Sequence, residues 1–282
     1  MNNIRRLAFI GGGNMAAALI SGLTKRGVSA GRMVVADPSE EQLERLVRDY
    51  AVKTAADNVS AVQGAEVVVL AVKPQQMRAV ALGLAPHLAA TPAQLASPPL
   101  LISVAAGIPH ASLARWFGPH IPVIRTMPNR PALNGFGATG LYAPAGVGAA
   151  YRALAETIMA AVSATVWVEH ESQMDTVTAL SGSGPAYFFL FMEALEAAAH
   201  ERGLPTEIAH RLTLETAFGA AQMARHSPDS LATLREQVTS KGGTTAAALE
   251  VLNAAGLRAI VAHAVAAADR RSAELAAEFG AL

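Results

Sequence analysis

The sequence predicts an α/β fold with a doubly wound sheet, followed by an all-α helical domain. Short apolar runs alternate with helical segments through the first half of the 282-residue chain, as in the βαβ units of a parallel sheet. The first run passes through a glycine-rich turn into a helix, a pattern typical of dinucleotide-binding domains. No strand pattern recurs after about His170. We therefore expect a Rossmann-type domain over residues 1–168 and a helical domain over residues 169–282.

The composition narrows the class of protein. Hydrophobic residues make up 52% of the chain and charged residues 16%, so a large core is available and disorder is not expected. The formal net charge is zero, which argues against a nucleic-acid or anionic-membrane partner. No apolar run reaches the length of a membrane span and no signal-peptide pattern is present, which together predict a cytoplasmic protein. The lack of cysteine excludes disulfides, thiolate catalysis and cysteine zinc sites.

The first strand and helix carry a dinucleotide-binding motif. The apolar run Leu7–Ile10 ends in glycines, and Gly11, Gly13 and Ala16 fit the pattern G-x-G-x-x-G/A. Gly11 permits the tight turn, Gly13 lets the backbone approach a pyrophosphate, and Ala16 allows the helix to pack closely on the strand. The N–H groups of the helix's first turn then face the phosphates.

A ribose-binding carboxylate is predicted at the end of the second strand. The run Met33–Ala36 ends at Asp37, which lies at the distance from the glycines that this role requires. A charged helix over residues 40–48 follows. The carboxylate of Asp37 favours a free 2′-hydroxyl, and hence NAD, because it repels a 2′-phosphate.

The later strands of the first half are predicted to share one ligand cleft. They span residues 67–72, 100–104, 121–124, 138–143 and 165–169, and a Pro/Ala/Ser-rich connection covers residues 86–99. In doubly wound sheets, ligands lie beyond the carboxyl ends of the strands. The segments 11–16, 71–74, 105–107 and 127–129, together with Asp37, all occupy such ends.

Successive helices are predicted for the second half, over residues 186–200, 206–225, 230–238, 244–253 and 257–278. A turn over residues 181–185 precedes the first of them, and its proline suits a first helical position. Thr206 is predicted to cap the second helix. These helices are richer in alanine and leucine than a free-standing monomeric bundle of this size requires, so we expect a buried dimer interface through them.

Two glycines and two threonines precede or open the helix predicted at Thr244. Their backbone N–H groups and hydroxyls converge on one point, which would form an anion site sized for a carboxylate. The alternative is helix capping by Thr244, which is common and contributes roughly 1 kcal/mol. Local chemistry alone favours capping.

Six motifs follow one another along the chain: Phe9-Ile-Gly-Gly-Gly-Asn-Met-Ala16, Val72-Lys-Pro-Gln75, Ser103-Val-Ala-Ala-Gly107, Met127-Pro-Asn129, Ser181-Gly-Ser-Gly-Pro-Ala186 and Gln237-Val-Thr-Ser-Lys-Gly-Gly-Thr-Thr245. In content and order they resemble the motifs of the pyrroline-5-carboxylate reductase family, nearly from end to end. The last motif, with Ala248 and Leu249, is close to the family signature and is the most specific. The glycine motif alone is shared with many dehydrogenases.

The resemblance implies an NAD(P)H-dependent reduction of 1-pyrroline-5-carboxylate to L-proline, the final step of proline biosynthesis. It favours NADPH as cofactor, with NADH as the alternative. It also implies a helical domain that intertwines with a partner's, a site shared within the dimer, and further assembly of dimers into a decamer.

The resemblance also assigns site residues. The substrate-binding residues are Asn129, Ser240, Gly242, Gly243, Thr244 and Thr245, and the hydroxyl of Thr245, the catalytic group, hydrogen-bonds the ring nitrogen. The cofactor-binding residues are Gly11, Gly12, Gly13, Asn14, Met15, Ala16, Asp37, Pro38, Ser39, Asn58, Ala71, Val72, Lys73, Pro74, Ala105 and Ala106.

Two positions complicate the resemblance. Arg130 stands where the family has a small residue, often threonine, and its partner could be a cofactor phosphate, the substrate carboxylate or a surface acid. Asp37 favours NAD, whereas the family favours NADPH, whose 2′-phosphate Ser39 or Asn58 could bind if Asp37 turns away. The positions of Arg32 and Arg45 do not decide between the cofactors.

The chemistry needs little beyond alignment, since a protonated imine is already electrophilic and the cofactor supplies the hydride. The eight histidines form no ligand cluster, and no metal site is predicted.

Two other functions are compatible with the sequence. One alternative is a 3-hydroxyacid dehydrogenase that uses a lysine of its helical domain as acid–base group, for which Lys241 would have to serve. Another is a dinucleotide sensor without turnover, which binds partners through its apolar helices.

Overall fold

The first half of the chain forms one twisted sheet. The computed structural model describes residues 4–89 and 97–281. The strands are β1 (Leu7–Ile10), β2 (Met33–Ala36), β3 (Lys53–Thr54), β4 (Val67–Leu70), β5 (Leu100–Ser103), β6 (Val123–Met127), β7 (Gly137–Tyr142) and β8 (Ser163–Trp167). Their order across the sheet is β3-β2-β1-β4-β5-β6-β7-β8. The order reverses direction between β1 and β4, which is the switch point where doubly wound folds bind ligands.

Helices connect the strands and continue after them. Those of the first part are α1 (Asn14–Lys25), α2 (Glu40–Tyr50), α3 (Asn58–Val62), α4 (Pro74–Ala89), α5 (His110–Phe117), α6 (Ala149–Met159) and α7 (Gln173–Val177). Those that follow are α8 (Gly184–Glu201), α9 (Thr206–His226), α10 (Leu231–Gln237), α11 (Thr244–Ala254) and α12 (Leu257–Ala281). The predicted fold class, a Rossmann-type sheet followed by helices, is confirmed.

Two hydrophobic cores cover the two faces of the sheet, because alternate residues of each buried strand point in opposite directions. Leu7 and Phe9 of β1 belong to one core, which α1 and α6 complete. Ala8 and Ile10 belong to the other, which includes residues of α3, α4 and α5. Burial on both faces explains why these strands are continuous apolar runs.

One strand pair differs from the parallel sheet that was predicted. The pair β6–β7 is antiparallel, and the other neighbouring pairs are parallel. Only a short segment with a 3₁₀ turn, Arg130–Asn134, joins β6 to β7. A parallel crossover needs about a dozen residues or more, so this connection reverses the chain instead.

Two local predictions about helices were wrong. Residues 86–89, which were assigned to a loop, continue α4, and Pro86 lies inside that helix. Leu84 and Leu88, before and after Pro86, are both buried in the core. This packing keeps α4 helical across Pro86 despite the low helix propensity of proline. Of the rest of that predicted connection, residues 90–96 lie outside the described residues, and residues 97–99 form neither helix nor strand. Thr206 does not cap α9, because the cap position is Pro205 and Thr206 is the first helical residue.

The chain forms two compact units. The first comprises Met1–Ser183 and Ala268–Leu282, and the second comprises Gly184–Ala267. The predicted boundary between residues 168 and 169 falls within the first unit, and it stays a prediction about functional domains. No single helix of the described ranges is long and apolar enough to span a membrane, and only the bent pair α11 and α12 together has the length and composition of a span.

Candidate active site

A cavity of about 810 Å³ lies at the carboxyl ends of β1, β2 and β4, where doubly wound sheets bind ligands. The sequence predicted eight of its lining residues: Gly11, Gly13, Asp37, Pro38, Asn58, Ala71, Val72 and Lys73. Residues from four separate segments of the chain therefore meet in one cleft. We name it the dinucleotide cavity.

The glycine turn has the shape that a dinucleotide requires. Gly11 has a φ of +97°, and a Cβ at this position would lie 2.6 Å from the carbonyl oxygen of Ala71. A Cβ on Gly13 would meet no protein atom of the described residues within 4 Å, so the backbone there is open to a ligand. Gly13 precedes α1 without a side-chain cap. The first-turn N–H groups of α1 thus suit a pyrophosphate, and the residues present fit a dinucleotide.

Asp37 connects the glycine turn to the start of α2. Its Oδ2 accepts a hydrogen bond from the backbone N–H of Gly12 at 2.7 Å, and its Oδ1 accepts one from the N–H of Ser39 at 2.8 Å. The hydroxyl of Ser39 caps α2 by accepting from the N–H of Gln42 at 3.3 Å. A carboxylate has about four acceptor positions, so Asp37 can still accept from a ribose hydroxyl while it holds the loop.

A second carboxylate borders the same cavity. Asp57 caps α3 by accepting from the N–H of Ser60 at 2.7 Å, and the hydrogen bonds from Ser60 hold the pKa of Asp57 below its usual value. Asn58, the predicted ribose contact, is the first residue of α3. Sequence reasoning missed Asp57, although Asp is among the residues preferred at a helix N-cap. It also missed the lining residues Ala36, Ala56, Gln75, Gln76, Ala79 and Val80.

The other predicted cofactor residues do not line this cavity: Gly12, Asn14, Met15, Ala16, Ser39, Pro74, Ala105 and Ala106. Ala16 is buried in the core, which agrees with a packing role. Pro74 is the first residue of α4, and Ala105 follows β5 and is buried. Their contact with a cofactor stays a prediction.

Asn129 is occupied by contacts within the first unit. Its side-chain amide donates to the carbonyl of Ser181 at 3.0 Å, and its Oδ1 accepts from the N–H of Ala138 at 2.9 Å. It thereby links the end of β6 to β7 and to a π-helical turn, Thr178–Gly182. Substrate binding by Asn129 stays a prediction. Arg130, the next residue, is exposed at the start of the 3₁₀ turn.

An ion pair between a buried arginine and a partly exposed glutamate, which sequence reasoning also missed, supports the strand that leads to Asn129. Arg125 of β6 is 8% exposed and donates to Glu171, whose carboxylate also accepts from the backbone N–H of His110. Burial lowers the pKa of the neighbouring His110 side chain. A buried charged side chain requires such a partner.

The 240–245 loop lies in the second unit, at the start of α11. Gly242 has a φ of +72°, and the N–H of Gly243 donates to the carbonyl of Ser240 at 3.1 Å. Gly243 occupies the cap position without a side-chain hydrogen bond, and Thr244 and Thr245 are the first two helical residues. The alternative of capping by Thr244 is therefore wrong. The first-turn N–H groups of α11 and the two hydroxyls suit an anion such as a carboxylate.

Two family models match the chain. One, described as pyrroline-5-carboxylate reductase dimerisation, matches residues 171–275, and the other, described as NADP oxidoreductase coenzyme F420-dependent, matches residues 6–107.

Individual relatives match almost the whole length. A pyrroline-5-carboxylate reductase of Pseudomonas aeruginosa is 50% identical over 275 residues, which cover 98% of each chain. One from Haemophilus influenzae is 44% identical and covers 95% of this chain and 97% of its own. The solved structure of a Coxiella burnetii pyrroline-5-carboxylate reductase is 42% identical, covers 97% of this chain and 99% of its own, and superposes with a TM-score of 0.91. A Plasmodium falciparum pyrroline carboxylate reductase with NADP bound is 28% identical, covers 98% and 99%, and has a TM-score of 0.83. The chain therefore belongs to the pyrroline-5-carboxylate reductase family.

Proposed function

We propose that this chain reduces 1-pyrroline-5-carboxylate to L-proline with NADPH, as the final step of proline biosynthesis in the cytoplasm. The observation that carries the proposal is the 50% identity to a pyrroline-5-carboxylate reductase over nearly the whole of both chains. The glycine turn and the 240–245 loop, which lie in different units, support it because each leads into a helix whose first-turn N–H groups suit an anion. Residues 1–168 would bind the cofactor, and residues 169–282 would bind the substrate and dimerise.

The chain's own residues align the reactants. The nicotinamide cofactor supplies the hydride when bound. The N–H groups at the start of α11, with Ser240 and Thr244, hold the substrate carboxylate, and the protonated ring nitrogen donates to the hydroxyl of Thr245. Fixing the imine carbon at near-attack distance contributes several kcal/mol, about 7–11 in the most favourable cases.

The direct test follows absorbance at the nicotinamide band with racemic 1-pyrroline-5-carboxylate, in parallel with NADPH and with NADH. We expect oxidation of the cofactor with formation of proline. Tight binding of both cofactors without oxidation of either would instead support a dinucleotide sensor.

Asp37 is expected to set the cofactor preference. Asp37→Asn removes one negative charge beside the ribose and one of the two acceptors that hold the loop. Loosening of the loop affects both cofactors alike, whereas loss of the charge favours NADPH, so the ratio of kcat/KM with NADPH to that with NADH should rise about tenfold, which corresponds to about 1.4 kcal/mol. Steady-state kinetics with both cofactors measure this ratio. The control is Glu44→Gln, which neutralises an exposed carboxylate of α2 outside the dinucleotide cavity. An unchanged ratio in Asp37→Asn would mean that its charge does not reach the 2′ position.

Lys241 is expected to be dispensable. It is exposed in the 240–245 loop rather than placed on a helix, where a 3-hydroxyacid dehydrogenase would need its acid–base lysine. Lys241→Met should retain turnover within about threefold of the parent protein, the range of a surface change of about 0.5 kcal/mol. Loss of all turnover in this variant would favour the dehydrogenase alternative.

The second unit is proposed to dimerise through its helices, and the dimers to assemble further into a decamer. Large apolar side chains are exposed along α8 and α9, among them Phe188 at 71% and Phe218 at 58%. An apolar surface of this extent marks an interface. The family model for dimerisation matches the same region, residues 171–275.

Light scattering coupled to size exclusion tests this interface. The double variant Phe188→Glu/Phe218→Glu is expected to shift the mass from a multiple of 29.1 kDa towards that of a single chain. Val47→Glu, a charge on an exposed apolar residue of α2 in the first unit, is the control and should not alter the mass. A parent protein of 29.1 kDa in solution would refute self-association.

A further inference from the structure

The residues that follow β5, which we name the 104–107 turn, lie beside the dinucleotide cavity. The backbone N–H of Val104 donates to the carbonyl of Leu70 at 3.2 Å, and the next residue, Ala71, lines the cavity. A dinucleotide binds across the switch point, from the strands on one side to those on the other. In the proposed function its adenosine ribose lies at Asp37, after β2, so its nicotinamide half lies towards β4 and β5. The 104–107 turn is therefore at the nicotinamide end of the site.

Hydrogen bonds do not fix the second half of this turn. Within residues 4–89 and 97–281, Ala106 and Gly107 take part in no hydrogen bond. Gly107 has a φ of +71°, a conformation that glycine adopts without strain. The position of the turn must therefore be set by the side chains that pack on it.

The end of α12 packs directly on the turn. A Cβ on Gly107 would lie 3.2 Å from Cδ2 of Phe279, so the ring approaches the backbone more closely than a side chain at position 107 would allow. Phe279 is partly buried against the hydrophobic core on this face of the sheet, and that core includes Ala105 and Ile108. The aromatic ring thus supports the turn at Gly107 and packs on the core to which the flanking residues belong.

Two side chains of α5 hold the end of α12 in this place. The hydroxyl of Ser112 and Nη2 of Arg115 donate to the carbonyl of Gly280 at 3.1 and 2.8 Å. The last carbonyls of a helix have no partner within the helix, so these donors fix its end. A cation is also favoured there by the helix dipole. Phe279, the residue before Gly280, is consequently held over the turn.

We propose that Phe279 is a positioning residue for the cofactor: by packing on the 104–107 turn, it fixes the surface against which the nicotinamide half of NADPH binds. This inference rests on the proposed function in that it takes NADPH as the ligand. Removal of the ring leaves a void beside the turn, and surrounding groups relax towards such a void. Because Ala106 and Gly107 have no hydrogen bonds among the described residues, the turn is free to move in this way.

Calorimetric titrations of the full chain with two ligands test the proposal. NADPH has both halves, whereas adenosine 2′,5′-bisphosphate lacks the nicotinamide half. Phe279→Ala is expected to raise the Kd for NADPH about tenfold, because a displacement of about 1 Å in such a surface has effects of this order or larger. The Kd for adenosine 2′,5′-bisphosphate should not change. Phe279→Leu keeps a large apolar side chain over the turn and should recover most of the affinity for NADPH.

Two further variants separate positioning from a general loss of stability. Leu88→Ala is the matched control, since it removes a buried side chain from the same core at the far end of α4. It should lower the midpoint of thermal unfolding and leave the ratio of the two Kd values unchanged. Arg115→Gln removes an exposed donor to Gly280 and should raise the Kd for NADPH alone, by a smaller factor than Phe279→Ala. It provides the test if Phe279→Ala does not fold.

Three outcomes would overturn the proposal. They are an unchanged Kd for NADPH in Phe279→Ala and in Arg115→Gln, an equal weakening of both ligands, and a shifted ratio in Leu88→Ala. Both Kd values are measured without turnover. Binding of NADPH by the parent protein without its oxidation by the imine would therefore refute the proposed function and leave the role of Phe279 to be decided by the ratio.

Discussion

Thr245→Ala is expected to lower turnover by about 10- to 150-fold, because a hydrogen bond to a charged group contributes about 1.5–3 kcal/mol. Thr245 is half-buried as the second residue of α11, and its position depends on the glycine turn before it rather than on its own side chain. The loss should fall on kcat and on kcat/KM for the imine. Single-turnover and steady-state rates with saturating NADPH measure both quantities.

The conservative change tests whether the hydroxyl itself is responsible. Thr245→Ser retains the hydroxyl and should recover most of the lost rate. The Kd for NADPH, measured by nicotinamide fluorescence, should be the same in all three proteins because the 240–245 loop belongs to a different unit from the dinucleotide cavity. A matching loss of NADPH affinity in Thr245→Ala would show that the substitution displaces the loop, and the role proposed for the hydroxyl would then fail.

Gly11→Ala is expected to raise the Kd for NADPH about 100-fold and to lower the free energy of unfolding by about 2 kcal/mol or more. Backbone strain and steric overlap both destabilise a side chain at position 11. A φ of +97° is strained for any residue with a side chain, and the new methyl would overlap the carbonyl of Ala71 at 2.6 Å. The backbone must shift to relieve the overlap, which moves the turn away from the pyrophosphate. Urea unfolding and fluorescence titration give the two quantities.

Two other glycines separate these costs. Gly64 has a φ of +67° with open space around its Cβ position, so Gly64→Ala should reduce stability through strain alone and leave NADPH affinity unchanged. Gly13 has no positive φ and meets no described atom within 4 Å, so Gly13→Ala should weaken NADPH binding with little change in stability. Equal NADPH affinity in Gly11→Ala and the parent protein would refute the proposed role of the turn.

The sequence predicted the elements whose structure depends on local patterns. The strands β1 and β2 were located to the residue because each is an uninterrupted apolar run that ends at a glycine or an aspartate. The glycine turn and the start of α11 followed from residue types that only a few backbone conformations accept. The family motifs indicated that these elements follow one another along the chain in the order found in one family.

The bounds predicted for β6 were wrong because this strand depends on a contact between residues that are distant in sequence. The strand β6 was predicted over residues 121–124 but spans Val123–Met127, and the extension includes the charged Arg125. Arg125 is buried there with Glu171, 46 positions further along the chain, as its ion-pair partner. No local pattern indicates such a partner. The same reason explains why the occupied amide of Asn129 could not be foreseen, since Ser181 lies 52 positions away.

The route of the backbone between the two units has a consequence for folding during synthesis on the ribosome. The polypeptide leaves the first unit after Ser183 and re-enters it at Ala268, where Ser272 donates to Asp175 at 2.7 Å and Ser112 donates to the carbonyl of Gly280 at 3.1 Å. On the ribosome, residues 184–267 must be synthesised before this closing segment exists, which takes several seconds at about 5–20 residues per second. The nascent sheet thus waits, without the end of α12, until the whole of the second unit has been synthesised. A premature stop within the second unit would therefore also deprive the sheet of the contacts that residues 268–281 make with it.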